Sequence, residues 1–193
     1  MRKTLTKKYL LRIGASEEAV QAFEAQPIRD TRQILLGLYE QERYEWANWL
    51  LCRVMSRRQR IKYAIHAAEP VLPIFEAAYP GDDRPRKAIK AARAYLAHPS
   101  PKTRSAAESA ADSAWSAARS AADSAARSAA RSAAESAWSA WSARSAAESA
   151  ESAWSAAESA ESASWSATRR ETLAYGYALV GIKVSTGAGG KMR

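Results

Sequence analysis

Apolar side chains in the first hundred residues recur every three to four positions, in short runs that each end at a glycine, a proline or a capping side chain. This rhythm predicts a string of short helices. The first run holds Leu5, Tyr9, Leu10 and Ile13 and closes at Gly14. Ser16 caps the second ahead of Glu17 and Glu18, Val20 and Phe23 turn inward, and Pro27 ends it. Asp30 caps a third, with Ile34, Leu35 and Leu38 on one face. The fourth, from about Glu42 to Met55, presents Trp46, Trp49, Leu50 and Val54 as its core stripe. Gln59 to Ala68 continues as helix, and Pro70 and Pro73 predict a kinked or restarted helix to Tyr79, because each removes an amide donor and crowds the preceding turn. Pro80-Gly81-Asp82-Asp83 is a turn. Asp82 or Asp83 then caps a helix with Pro85 in its first turn and Ile89, Ala92 and Leu96 as its buried stripe, ending at His98-Pro99.

After Arg104 the pattern changes to a repeat, x-Ser-Ala or x-Ser-Ala-Ala, in which x is Arg, Glu, Asp or Trp. Serines from Ser105 to Ser166 are spaced by about 3.6 residues on average, the residues per turn of an α-helix, so x, Ser and Ala each keep to one face. A single rod over residues 101–168 would reach roughly 100 Å. The steps average about 3.9 residues in the first half and about 3.3 in the second, so the stripe drifts. An isolated Ala/Ser helix also has no large apolar surface to bury. Two or three helices folded back on the first half are expected, with serines at the breaks and Trp115, Trp138, Trp141, Trp154 and Trp165 filling gaps between helices. A last helix from about Arg169 to Ile182 carries Leu173, Tyr175, Leu179 and Ile182.

The expected fold class is therefore all-α, a compact multi-helix bundle with the long Ala/Ser-rich repeat folded back on short N-terminal helices. Residues 1–184 are expected to form one helical domain: short helices over 1–100, repeat helices over 101–168, a closing helix over 169–184. Residues 185–193, rich in glycine and without core side chains, are expected to be a flexible tail.

Composition narrows the chemistry. Of 193 residues 47% are hydrophobic, but much of that is alanine, which adds little buried area. Two histidines, one cysteine and eight glycines leave few parts for a metal centre, a thiol mechanism or a phosphate loop, and we expect neither an enzyme nor a cofactor. A lone Cys52 forms no internal disulfide, which fits a cytoplasmic protein. Arg12 interrupts the apolar start too early for a signal peptide, and no apolar run approaches the roughly 20 residues needed to span a membrane. The net charge of +9 lies wholly in residues 1–104, with 20 basic and 11 acidic side chains, whereas residues 105–193 carry 9 of each. A basic half attracts acidic proteins or nucleic acids, and charge alone does not choose between them.

Three segments carry a family resemblance: Tyr44-Glu45-Trp46-Ala47-Asn48-Trp49-Leu50-Leu51, then Ala67-Ala68-Glu69-Pro70-Val71-Leu72-Pro73-Ile74-Phe75-Glu76, then Arg84-Pro85-Arg86-Lys87-Ala88-Ile89-Lys90-Ala91-Ala92-Arg93. With the alanine-rich tract that follows and the closing Arg170-Glu171-Thr172-Leu173, they resemble the immunity-five-like group of immunity proteins of bacterial toxin systems, which also occur in phages. The resemblance extends over nearly the whole chain. It implies a non-enzymatic inhibitory protein that binds and neutralises a protein target such as a toxin or a defence enzyme, without naming that target.

Among candidate sites, His66 and His98 have no ligand spacing between them and read as structural or surface residues rather than metal ligands. Cys52, between Trp49 and Val54, reads as a small core residue rather than a nucleophile. The partner-binding candidates are Arg57, Arg58, Arg60, Arg84, Lys87 and Lys90. Three readings of them stand: pairing with nearby acids inside the bundle, contact with an acidic protein, or phosphate contacts to a nucleic acid. Arg84 and Arg86, held beside a proline, are also placed to clamp Glu69 or Glu76. A regular Ser/Ala face of the kind that binds ice is disfavoured by the tryptophans and mixed charges in the x slot.

Overall fold

Every helix of the first hundred residues starts or stops on a local signal. In a computed structural model, which describes residues 3–121, 124–139, 142–159 and 165–184, Thr6 caps α1 (Lys7–Arg12) and Gly14 ends it with a positive φ of 77°. Ser16 accepts from the Ala19 amide to open α2 (Glu17–Glu24), and Asp30 accepts from the Gln33 amide to open α3 (Thr31–Glu40). A two-residue antiparallel bridge between Thr4 and Asp30 ties the start of the chain to α3.

Helix α4 (Tyr44–Val54) departs from expectation in its phase. Ala47, Leu51 and Cys52 are fully buried with Leu50 and Val54 close behind, while Trp46 and Trp49 are half-buried at its edge. The indoles are too large for the close approach that α4 makes to its neighbours, and each lies under an arginine, Arg43 over Trp46 and Arg53 over Trp49. Nor does the helix run on toward Ala68. Ser56 and Gln59 form a reciprocal capping box that ends α4 and starts α5 (Arg57–Ala68). The proline pair produces one 3-10 turn, Glu69–Val71, and then a restarted α6 (Leu72–Ala78). Helix α7 (Arg84–Ala97) buries Ala88, Ile89, Ala92 and Tyr95, with Leu96 half-buried.

The repeat folds into three helices, α8 (Pro101–Ser120), α9 (Ser124–Trp138) and α10 (Ala143–Ser159). It does not merely cover the N-terminal helices. Helix α9 runs through the middle of the bundle, touching α5, α6, α7, α8 and α10, and Ala129, Ala130, Ser132, Ala133, Ala134 and Ser136 are all inaccessible to solvent. Only a helix without bulk can be packed on so many sides, since its neighbours must come within a few ångströms of its backbone. Its buried Ser136 meets its hydrogen-bonding need within the helix, donating back to the Ala133 carbonyl at 2.7 Å. Ser142, beside the second break, accepts from the Arg144 amide at 3.0 Å.

Helix α11 (Trp165–Leu179) closes the bundle against α4, α5 and α10, with Leu173 and Tyr177 fully buried and the Tyr177 hydroxyl donating to the Leu35 carbonyl at 2.7 Å. Among the repeat tryptophans whose side chains are described, Trp154 is buried and Trp115 and Trp138 are half-buried against the core. Trp141, the side chain of Trp165 and the expected tail over 185–193 lie outside the described residues. No helix among the described residues is long and apolar enough to cross a membrane.

Candidate functional site

The basic candidates sit on α5 and α7, and the structure assigns them different surroundings. Arg58 and Lys90 are exposed and form no ion pair among the described residues. Arg57 is exposed and donates to the Tyr95 hydroxyl at 3.4 Å, near the far end of α7. Arg84 begins that helix eleven residues earlier, about 16 Å away along the axis, so the cluster is a strip rather than one point of contact. Arg84 is taken up by Asp82, at 2.5 Å, and Lys87 by Asp83, at 2.9 Å. Arg60 is half-buried, donates to the Met55 carbonyl at 3.2 Å, and has its charge disfavoured by that burial.

The neighbouring arginines act as braces between the family-like segments. Arg86 clamps Glu76 through two bonds, at 2.6 and 2.5 Å, and Arg93 pairs with Glu69, so the two proline-bearing segments are held together by charge-assisted contacts. Of the two glutamates expected to be clamped, Glu76 takes Arg86 while Glu69 takes Arg93, because Arg84 folds back on its own turn. The closing motif docks in the same manner. Arg170 reaches Glu42 at 2.7 Å and the Tyr44 hydroxyl at 3.0 Å, and Arg169 pairs with Glu45 at 3.4 Å.

Behind α4 lies a buried polar node. Asn48, wholly inaccessible, donates to the Ala147 carbonyl and to Glu151 Oε1, both at 3.1 Å, and accepts from the Tyr63 hydroxyl at 2.9 Å. Cys52 Sγ adds a weak bond to Asn48 Oδ1 at 3.7 Å, and burial pushes its thiol far above its ordinary value, so it is an inert core residue. Glu135 on α9 is likewise buried and pushed up to about 7, first by desolvation and then by the facing Glu148. His66 stacks on Tyr175 at 3.9 Å, and its pKa is lowered by burial. Among the described residues no three His, Cys, Asp or Glu side chains are grouped as metal ligands.

Two features were not foreseen from the sequence. The node is one, although an asparagine inside Trp-Ala-Asn-Trp-Leu-Leu is itself a signal, since a polar side chain in an apolar run must find partners. The other is a cavity of about 570 Å³ between α2 on one side and α3 and α4 on the other. Its deep wall is Leu5, Leu10, Phe23 and Leu50, and Glu151 and Trp49 also line it. The side chains come from five separate segments, which no local pattern groups together.

No curated protein and no solved structure matches the chain significantly. A family model described as "Imm-5 like putative immunity protein" matches residues 50–174, a span that contains the clamped proline segments, the basic strip, the helices α8, α9 and α10 of the repeat and the closing Arg170-Glu171-Thr172-Leu173 motif. The match covers well over half of the chain, and the protein belongs to this family.

Proposed function

We propose that the protein is a non-enzymatic inhibitor that binds and neutralises a protein target, such as a toxin or a defence enzyme. Membership of the immunity family carries this reading. The ion pairs and the hydrogen bond that tie α5, α6 and α7 together support it, because a surface held in place before encounter costs little to order on binding.

We place the interface on the α5–α7 strip. Arg57, Arg58, Lys87 and Lys90 form its exposed part, and Arg60 and Arg84 support it from beneath, tied to Met55 and Asp82. Positive charge concentrated there suits an acidic partner, whose encounter it would accelerate. The decisive experiment purifies the product of the adjoining gene in the native host, titrates the two proteins together, and measures both complex formation and loss of the partner's toxicity. A stable complex without relief of toxicity would refute neutralisation. Tight binding to nucleic acid at physiological salt, falling steeply as salt rises, would replace the protein-target reading with a nucleic-acid one.

A further inference from the structure

The 570 Å³ cavity has the volume of a small-molecule site, and it is built mainly by residues 5–50, ahead of the segment that defines the family. Helix α2 lies along it with small side chains, Ala19 and Ala22, after Ala15 in the preceding loop, and Gly37 of α3 faces it from the other side. From Gln33 to Gln41 the α3 wall is about 12 Å long, enough for an extended aliphatic chain. Ile28, one of two large apolar side chains that stand exposed among the described residues, lies at its rim.

The charged groups of the lining are Arg43, Glu45 and Glu151. Arg43 is spent on the Trp46 ring and on Glu18 at 4.0 Å, and Glu45 is paired with Arg169. Glu151 alone has no cation within ion-pair distance among the described residues. Its carboxylate accepts from neutral Asn48, and the same side chain also lines a second, smaller cavity with Arg53 and Arg144. Those two guanidiniums are engaged elsewhere, Arg53 with the Ile13 and Trp49 carbonyls and Arg144 with Glu148 at 2.6 Å. Desolvation, the largest cause, raises the Glu151 pKa, and Glu148 and Glu45 add to the rise, while the Asn48 bond and Arg131 oppose it.

We propose that this cavity is a binding site for a small amphiphilic primary amine, whose aliphatic chain lies between α2 and α3 and whose ammonium group pairs with Glu151. The apolar walls supply affinity without direction, and the carboxylate in the lining that has no cation partner selects the head group. This site is separate from the basic strip, and its test uses the purified protein alone, so it stands or falls independently of the neutralising role.

The probes are decylammonium, decanol and decanoate, below their aggregation limits, followed by the indole N–H resonances of Trp46 and Trp49 in a nitrogen-labelled sample. Decylammonium is expected to shift both resonances saturably and to bind at least tenfold more tightly than decanoate. Glu151→Gln should weaken decylammonium about tenfold and leave decanol unchanged. Gly37→Leu should abolish binding of all three; the Cβ itself meets nothing closer than Gln41 Nε2 at 3.8 Å, and thermal melting verifies that the variant folds. Equal affinity for decanoate and decylammonium would overturn the assignment of the head group, and that comparison needs no variant. Unchanged binding in a folded Gly37→Leu protein would remove the ligand from the cavity altogether.

Discussion

Ser132 of α9 and Ser149 of α10 exchange hydrogen bonds across the helix interface: the Ser132 hydroxyl donates to the Ser149 carbonyl at 2.8 Å, and the Ser149 hydroxyl reaches the Ser132 carbonyl at 3.0 Å. Both residues are fully buried, and Ser149 shares its proton with the Ala64 carbonyl of α5, at 3.1 Å. One hydroxyl thus sits where three helices meet. Such a junction forms only when backbones approach closely enough for a side chain one atom past Cβ to span the gap, and the Ala/Ser repeat provides that approach.

Replacing Ser132 by Ala should cost about 1 kcal/mol, the worth of one buried bond whose acceptor still keeps its helical partner. Ser149→Leu should cost roughly 3 kcal/mol or more, because the added atoms have no space among α5, α9 and α10. Urea denaturation of the two variants checks the order. A milder effect from Leu than from Ala would mean that the junction is looser than its geometry shows.

The contrast between these serines and their exposed counterparts marks where sequence reading stopped. The period of the repeat made its helices legible, and the caps at Ser16 and Asp30 and the turn before Arg84 did the same for the first half. A strict repeat, however, writes Ser109 and Ser149 alike, although one is exposed and the other buried, since burial depends on which helices arrive alongside. Glu135 and Glu151 were hidden for the same reason, occupying the same slot as the solvated Glu158. Of the expected α4 stripe, Leu50 and Val54 are buried, whereas tight helix packing favours Ala47 at the closest approach and leaves Trp46 and Trp49 half-buried along a cavity.

Glu135 makes the bundle sensitive to pH in an unusual direction. Its folded pKa, about 7, lies above the ordinary 4.5, with Glu148 and Ser145 of α10 and Arg131 of its own helix as its neighbours. The folded state therefore holds a proton that the unfolded chain has released. This contribution to stability is present in full below pH 4.5 and is lost as pH rises through 7, amounting to on the order of 3 kcal/mol. Glu135→Gln, which mimics the protonated form, should match the native protein near pH 4 and exceed it in melting temperature at pH 8. Parallel stability curves for the two proteins across this range would contradict the assignment.

Gly176 of α11 lies against α4 and α5, where an added Cβ would come within 2.6 Å of Tyr63 Cε2 and 2.7 Å of Leu51 Cδ2. Neither side chain has room to yield, since both are fully buried. Gly176→Ala should therefore destabilise by roughly 1–3 kcal/mol despite the better helix propensity of alanine. Gly37→Ala on α3, where the added Cβ makes only an ordinary contact with Gln41 Nε2 at 3.8 Å, should stabilise by up to about 1 kcal/mol. Opposite shifts in melting temperature from the same chemical change would verify the close approach of α11, and shifts of one sign would not.

The basic strip separates side chains that brace the fold from those free to meet a partner. Arg58 and Lys90 are exposed on α5 and α7, whereas Arg86 holds Glu76. The double reversal Arg58→Glu with Lys90→Glu should slow association with the protein target at least tenfold at low salt, with the difference shrinking as salt screens the charges. Melting behaviour should change little, since neither side chain is spent on an ion pair among the described residues. Arg86→Ala should do the reverse, lowering the melting temperature slightly while leaving the association rate within about twofold. Stopped-flow mixing over a range of salt concentrations distinguishes the two classes. Should the double reversal associate as fast as the native protein, the interface lies off this strip, and the half-buried Trp115 and Trp138 of the repeat become the next surface to test.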